Sequence, residues 1–265
     1  MIPFEYYVVV FLAGLVTALS TGVGALVLSD DVSDRYLVAL WGLAAGIILS
    51  ASIFGLIFEA LETGEYGLVG VGLLAGVGIV VLVDRLITAH EFQPRTIAKG
   101  DFEKLALIFG VLTIHSFPEG IAVGVAFAEL GTSGDLVLAG IAIPALAVFV
   151  SIAVSIMNVP EGLAIAIPFR TYGIGRWQTV GWAIASSLPQ PVGAVLAYAF
   201  VTTATGLLPL GFGFAAGAML YLVVNDIVPE AIGLARKLPG GGYGELLAGL
   251  VVGVIAMTPL LVVFG

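Results

Sequence analysis

The chain contains no cysteine, which removes thiolate metal ligands and disulfides from consideration at once. Charge is nearly as scarce: Asp, Glu, Lys and Arg together make up 10% of residues, against 60% hydrophobic ones. So few polar groups cannot cover a water-soluble domain of 265 residues, and the chain reads as a polytopic membrane protein solvated by lipid. Basic residues are the rarest charged ones, nine against eighteen acids, for a net charge of -9. No surface for nucleic acid can be built from them. The acidic excess fits either a salt-rich habitat or the attraction of cations. The first apolar run follows Met1-Ile2-Pro3-Phe4-Glu5 without a basic segment, so it is expected to be a true span rather than a cleaved signal.

Glycine is what the chain has in abundance, 36 residues. Spacings such as Gly42 to Gly46, Gly72 to Gly76, Gly120 to Gly124 and Gly213 to Gly217 suit close helix packing in lipid, within the chain or between two copies in a homodimer. Measured against the roughly 20 residues that cross a bilayer, the apolar runs give eight spans, at about 6–28, 36–61, 66–88, 103–128, 136–169, 177–204, 208–235 and 244–264. The fifth is over-long and holds Pro144, Pro160 and Pro168, so a kink or a short interfacial piece is expected there. All nine basic residues fall on one side of this arrangement: Arg35, Arg85, Arg95, Lys99, Lys104, Arg170, Arg176, Arg236 and Lys237. The opposite loops carry Glu62, Glu65, Glu129 and Asp135 without a Lys or Arg, which places both termini outside the cell membrane. No link is long enough to separate domains, so residues 1–265 are expected to form one transmembrane domain.

Two stretches stand out inside this apolar frame. His115-Ser116-Phe117-Pro118-Glu119-Gly120 is followed 42 positions later by Met157-Asn158-Val159-Pro160-Glu161-Gly162. His115 and Glu119 are i, i+4 and share a helix face, with Ser116 bordering it; Met157, Asn158 and Glu161 repeat the frame. Pro118 and Pro160 withhold a hydrogen bond from the carbonyls of Ile114 and Ile156. The glycine after each Glu allows another helix to come close. Two carboxylates, an imidazole and freed carbonyls at one membrane depth repel one another or take up protons unless a cation lies between them. That donor set suits Zn²⁺, Fe²⁺, Mn²⁺ or Co²⁺ better than Ca²⁺ or Mg²⁺.

Other polar groups carry two readings each. Gln190, in the Pro189-Gln190-Pro191 kink with Ser186 and Ser187 before it, is a ligand or a bond between helices; Met157 is a soft donor or packing. Asp226 and Glu230, i, i+4 about Pro229 with Asn225 adjacent, are a pathway or interfacial acids, and Glu59 is an entrance group or an interfacial acid. The link from about Ala89 to Asp101, with His90, Glu91 and Gln93, is a solvated connector rather than a metal-collecting loop. A cation or proton-coupled carrier is the alternative transport reading. An intramembrane metalloenzyme is disfavoured, because His-x-x-x-Glu supplies neither a His-Glu-x-x-His helix nor a nucleophile motif.

Taken together, HSFPEGIAVG, NVPEGLAIAIP, SSLPQPVGA and NDIVPEA resemble the ZIP family of divalent-metal transporters over essentially the whole chain. The resemblance implies an all-α integral membrane protein of eight transmembrane helices in a 3+2+3 bundle, whose first and last three are related as inverted pseudo-symmetric repeats forming a scaffold and a moving unit. It also implies a main metal site at His115, Glu119, Met157 and Glu161. An adjacent one falls at Ser116, Asn158 and Gln190, sharing Glu119 and Glu161. Ser116 stands where Asn is usual, Met157 where His is usual, and Gln190 where Glu is frequent. The second site has therefore lost a charge and an amide ligand. The expected activity is transport, not catalysis. Its substrate is a divalent metal, zinc first, with iron, manganese, cobalt or cadmium beside it, moved toward the cytoplasm by alternating access.

Overall fold

In lipid every backbone N–H and C=O must be satisfied within the protein, so long apolar runs close their hydrogen bonds locally as helices. A computed structural model describes residues 2–27, 33–89, 100–132, 136–171 and 173–264. The elements are α1 (Phe4–Val27), α2 (Asp34–Ser50) running through a π-helical stretch (Ala51–Ile57) into α3 (Phe58–Glu62), α4 (Tyr66–Ala89) and α5 (Gly100–Ala126). A hairpin of β1 (Leu136–Leu138) and β2 (Ile141–Ile143) precedes α6 (Ala145–Thr171), α7 (Arg176–Ser187) and α8 (Pro189–Thr203). A 3₁₀ turn (Thr205–Leu207) leads into α9 (Leu208–Leu222), a second π-helical stretch (Val223–Ile227), α10 (Val228–Ala235) and α11 (Tyr243–Phe264). Among the described residues, Phe4–Val27, Asp34–Glu62, Ala145–Ile167, Arg176–Thr203 and Thr205–Ala235 are long and apolar enough to cross a membrane. The molecule is thus an all-α membrane protein with one small hairpin.

That hairpin takes the place of the first residues of the over-long fifth span, where a kink or a short separate piece is expected, and moves the start of the helix from 136 to Ala145. Leu136 pairs with Ile143 and Leu138 with Ile141 in antiparallel register, around Ala139 and Gly140, whose φ angles are 52° and 82°. Two consecutive left-handed residues make the tight turn that joins antiparallel strands. Pro144 then ends the strand and α6 starts behind it. Hydropathy cannot separate a short apolar strand from a helix, and the turn chemistry decides. The break expected at Pro189-Gln190-Pro191 is present, since α7 stops at Ser187 and α8 starts at Pro189. The metal-collecting reading of His90, Glu91 and Gln93 lies outside the described residues, as do Asp135 and the side chain of Asp101.

Glycine organises the packing into two sets. In one, a Cβ on Gly120 would strike the carbonyl of Gln190 and one on Gly124 that of Ala194, so α8 lies directly on α5. Likewise Gly162 abuts Thr21 O and Gly24 abuts Val159 O, which sets α1 against α6. In the other set, Gly42 and Gly46 meet the α11 backbone at Leu246 and Leu250, and Gly249 and Gly253 meet α2 at Ala39 and Leu43. Gly72 and Gly76 meet α9 at Leu210 and Phe214, and Gly213 and Gly217 return the contact at Val69 and Leu73. Between the sets the described glycines meet side chains instead: a Cβ on Gly55 would come within 2.9 Å of the Phe149 ring, and one on Gly211 within 2.9 Å of Val201 and 3.5 Å of Val125.

At the end of the molecule carrying the basic residues, Arg35 pairs with Glu245 and donates to Pro239 O at 3.0 Å. Arg176 donates to Leu26 O at 2.6 Å. The first of these bonds ties the start of α2 to α11 and to the segment after α10, and the second ties the end of α1 to the start of α7.

Candidate metal site

The two Pro-Glu-Gly segments lie within α5 and α6, and both helices continue through their prolines. The glycine that follows each carboxylate is where the neighbouring helix presses in: Gln190 of α8 against Gly120, Thr21 of α1 against Gly162. Close approach thus packs helix backbone directly behind each glutamate. Glu119 is 1% exposed and Glu161 8%. Their carboxyl groups are in contact with one another. A pair of like groups at that depth needs a proton or a cation between them.

The pair lies on the wall of a cavity of about 690 Å³. His115, Glu119, Met157 and Glu161 line one part of it, and Asn225, Asp226 and Glu230 line another. Glu230 is exposed, and Arg236 and Lys237 follow it, so the cavity runs toward the basic end of the molecule. On the opposite side the space between α2 and α6 is filled by Ile47, Ile48, Ala51, Val150, Ala153 and Val154, each at most 1% exposed. Among the described residues no three His, Asp or Glu side chains close around a single ion position. The donors are instead distributed along the wall.

Ser116, Asn158 and Gln190 stand behind this wall, all at 0% exposure. Ser116 Oγ donates to Leu112 O at 2.9 Å, on its own helix. Gln190 Nε2 donates to Glu119 Oε2 at 2.5 Å, and Asn158 Nδ2 donates to Gln190 Oε1 at 3.1 Å. A hydrogen bond to a carboxylate is worth about 1.5–3 kcal/mol, so Gln190 fixes the orientation of Glu119. Glu59, on α3, does not line the cavity.

Two participants have no signal in the sequence. Trp41 of α2 lines the cavity although nothing in its local pattern distinguishes it from packing. Thr17 of α1 gives its carbonyl to Asn158 Nδ2 at 2.6 Å, and a backbone acceptor carries no residue signature. Nearby, the hydroxyls of Thr21 and Ser187 bond at 2.7 Å and tie α1 to α7.

No family model matches the chain. Individual proteins do. It is 34% identical over 220 residues to a putative zinc transporter of Arabidopsis thaliana, covering 82% of this chain but 33% of that protein, so it spans about a third of that relative's length. Zinc transporter ZupT of Corynebacterium glutamicum is 30% identical over 273 residues, covering 94% of this chain and 97% of its own. Zinc transporter GufA of Myxococcus xanthus is 30% identical over 240 residues, covering 83% and 88%.

Proposed function

The chain belongs to the ZIP family of zinc transporters, and from that premise we propose that it carries Zn²⁺ across the membrane through the cavity that ends at Glu119 and Glu161. It is a transporter rather than an enzyme, which sets aside the metalloenzyme alternative. The observation that carries the reading is the contacting carboxyl pair, with His115 on the same wall of one cavity. In this reading His115, Glu119 and Glu161 close on the ion, with Met157 beside them as a soft, poorly hydrated contact.

The transport unit is α1, α5, α6, α7 and α8, and the scaffold is α2, α3, α4, α9, α10 and α11, together giving eight spans in a single domain. Reciprocal glycine contacts support this division. Backbone lies on backbone within each set, whereas the seam between them is made of side chains that can slide. The pairing of α2 with α11 and of α4 with α9 is also what inverted repeats would produce. The structure fits a state open toward the cytoplasm, taking the basic end as internal. Net flux is then inward by alternating access. Other divalent transition metals, among them iron, manganese, cobalt and cadmium, are secondary substrates.

Uptake by proteoliposomes of known orientation, tested with Zn²⁺, Fe²⁺, Mn²⁺, Co²⁺ and Cd²⁺, checks this reading. Zinc entering toward the side of the basic loops is the expected result; no flux of any of the five by folded protein would sink it. Asp226 and Glu230 are placed as exit groups, and Glu59 as an acid at the external mouth. Asp226→Asn with Glu230→Gln is expected to slow zinc uptake several-fold while the amount of bound zinc stays the same, as a pathway role requires. A fall in bound zinc would move these acids into the site itself.

A further inference from the structure

Glu119 has two oxygens, and one of them already has a strong partner that is not a metal. Its Oε2 accepts from Gln190 Nε2 at 2.5 Å. The second hydrogen of that amide reaches Asn158 Oδ1 at 3.3 Å. Asn158 in turn donates to Gln190 Oε1 at 3.1 Å and to Thr17 O at 2.6 Å. All four polar side-chain atoms of the two amides are thus bonded, and both donor groups are fully used. Turning Gln190 over would set its oxygen against Glu119 Oε2. Turning Asn158 over would set its oxygen against Thr17 O. The network therefore admits one orientation of each amide.

Charge points the same way. Glu119 and Glu161 together carry two negative charges when ionised, which one divalent ion balances. A second ion behind Glu119 would meet two neutral amides, one of which, Gln190, aims its N–H at Glu119, and two positive charges would remain uncompensated in a buried site at membrane depth. Ser116 cannot supply the deficit, because its hydroxyl is neutral and is bonded to Leu112 O.

We propose that Asn158 and Gln190 form an amide clasp in place of a second ion, so that the chain holds one divalent metal and Gln190 acts as a positioning residue for Glu119. The proposal rests on the metal site described under Proposed function. The clasp presents Glu119 to the cavity through its remaining oxygen. It does so with hydrogen bonds that persist when the ion leaves, so the carboxylate stays aimed through the transport cycle.

Zinc stoichiometry of the purified full-length chain, by equilibrium dialysis and elemental analysis, tests it. The wild type is expected to bind one Zn²⁺ per chain. Gln190→Glu replaces the donor to Glu119 by a carboxylate, Asn158→Asp, independently from another helix, places a carboxylate beside Gln190, and each is expected to raise the count to two. Zinc-dependent melting verifies that the variants are folded. A wild type that binds two ions overturns the proposal while leaving the metal site standing. Folded variants that both stay at one ion overturn it also. A wild type without saturable zinc overturns the metal site and the clasp together. Gln190→Leu, which removes the donor without adding charge, is expected to keep one ion at about tenfold weaker affinity. Should neither charged variant fold, the wild-type count and Gln190→Leu still decide the outcome, since unchanged affinity in Gln190→Leu denies Gln190 its positioning role.

Discussion

Replacing Glu119 and Glu161 together by glutamine is expected to abolish saturable zinc binding and zinc uptake, leaving a folded bundle. Glutamine keeps the size of the side chain but offers only a neutral carbonyl oxygen to the ion. His115 alone cannot hold a divalent cation at membrane depth against the cost of stripping its water. The loss should exceed the roughly 10–100-fold that accompanies removal of a residue that merely hydrogen-bonds to a metal ligand. Glu119→Gln alone should therefore weaken zinc binding more than Gln190→Ala does. Equal losses would mean that the amide acts as a ligand in its own right. The fold should tolerate the double substitution, because glutamine keeps the size of each side chain and removes two like charges that lie in contact when no ion is present. Elemental analysis of the purified variant beside its melting profile separates loss of the ion from loss of the fold.

Gly162→Leu is expected to have the largest effect on stability. A Cβ at this position would enter the space of Thr21 O and approach Ala25 N at 2.9 Å, both backbone atoms of α1. A flexible side chain could turn aside, but a helix backbone cannot, so α1 must separate from α6 along its length. Overpacking against movable side chains typically costs about 1–3 kcal/mol, and a rigid backbone neighbour puts this case at or above the upper end. Displacing α1 also withdraws the Thr17 carbonyl from Asn158, so the clasp on Glu119 should loosen in the same variant. Gly78→Ala is the control. No atom lies within 4 Å of a Cβ there, and alanine in a helix is favoured over glycine by about 1 kcal/mol. A lower melting temperature for Gly162→Leu beside an unchanged or raised one for Gly78→Ala is the expected result. Similar values for both would remove the close-packing account of the fold.

Much of the site is legible in the amino-acid sequence, and for a definite physical reason. A glutamate and a proline are each costly inside a lipid-embedded helix, so their joint repetition in one frame marks function without reference to neighbours. The shared frame also fixes that His115 and Glu119, or Met157 and Glu161, lie on one helix face. It cannot fix which surface those faces address. Asp226 and Glu230 could equally be interfacial acids by their sequence, and only the fold, which sets them on one cavity with His115, Glu119 and Glu161, makes them part of the same wall. Glu59 carries the same two readings, and the fold keeps it away from that wall.

Composition and the apolar runs determined that this chain lives in a membrane and roughly where its helices run. Those properties are sums over local residues, and they survive any arrangement of the helices. The tertiary structure alone decided which glycines meet, because spacings of four occur throughout the chain and only contact selects Gly120 with Gln190 and Gly162 with Thr21. It decided that the short piece ahead of the over-long fifth span, residues 136–143, is a hairpin, since a left-handed pair at Ala139 and Gly140 outweighs apolar character. At the Pro-Glu-Gly pair it gave the two halves different surroundings. Glu161 has His115 and the cavity before it, whereas Glu119 is held from behind by Gln190 and Asn158, residues whose neutrality is plain in the sequence but whose closure around one carboxylate depends on four helices arriving at one point.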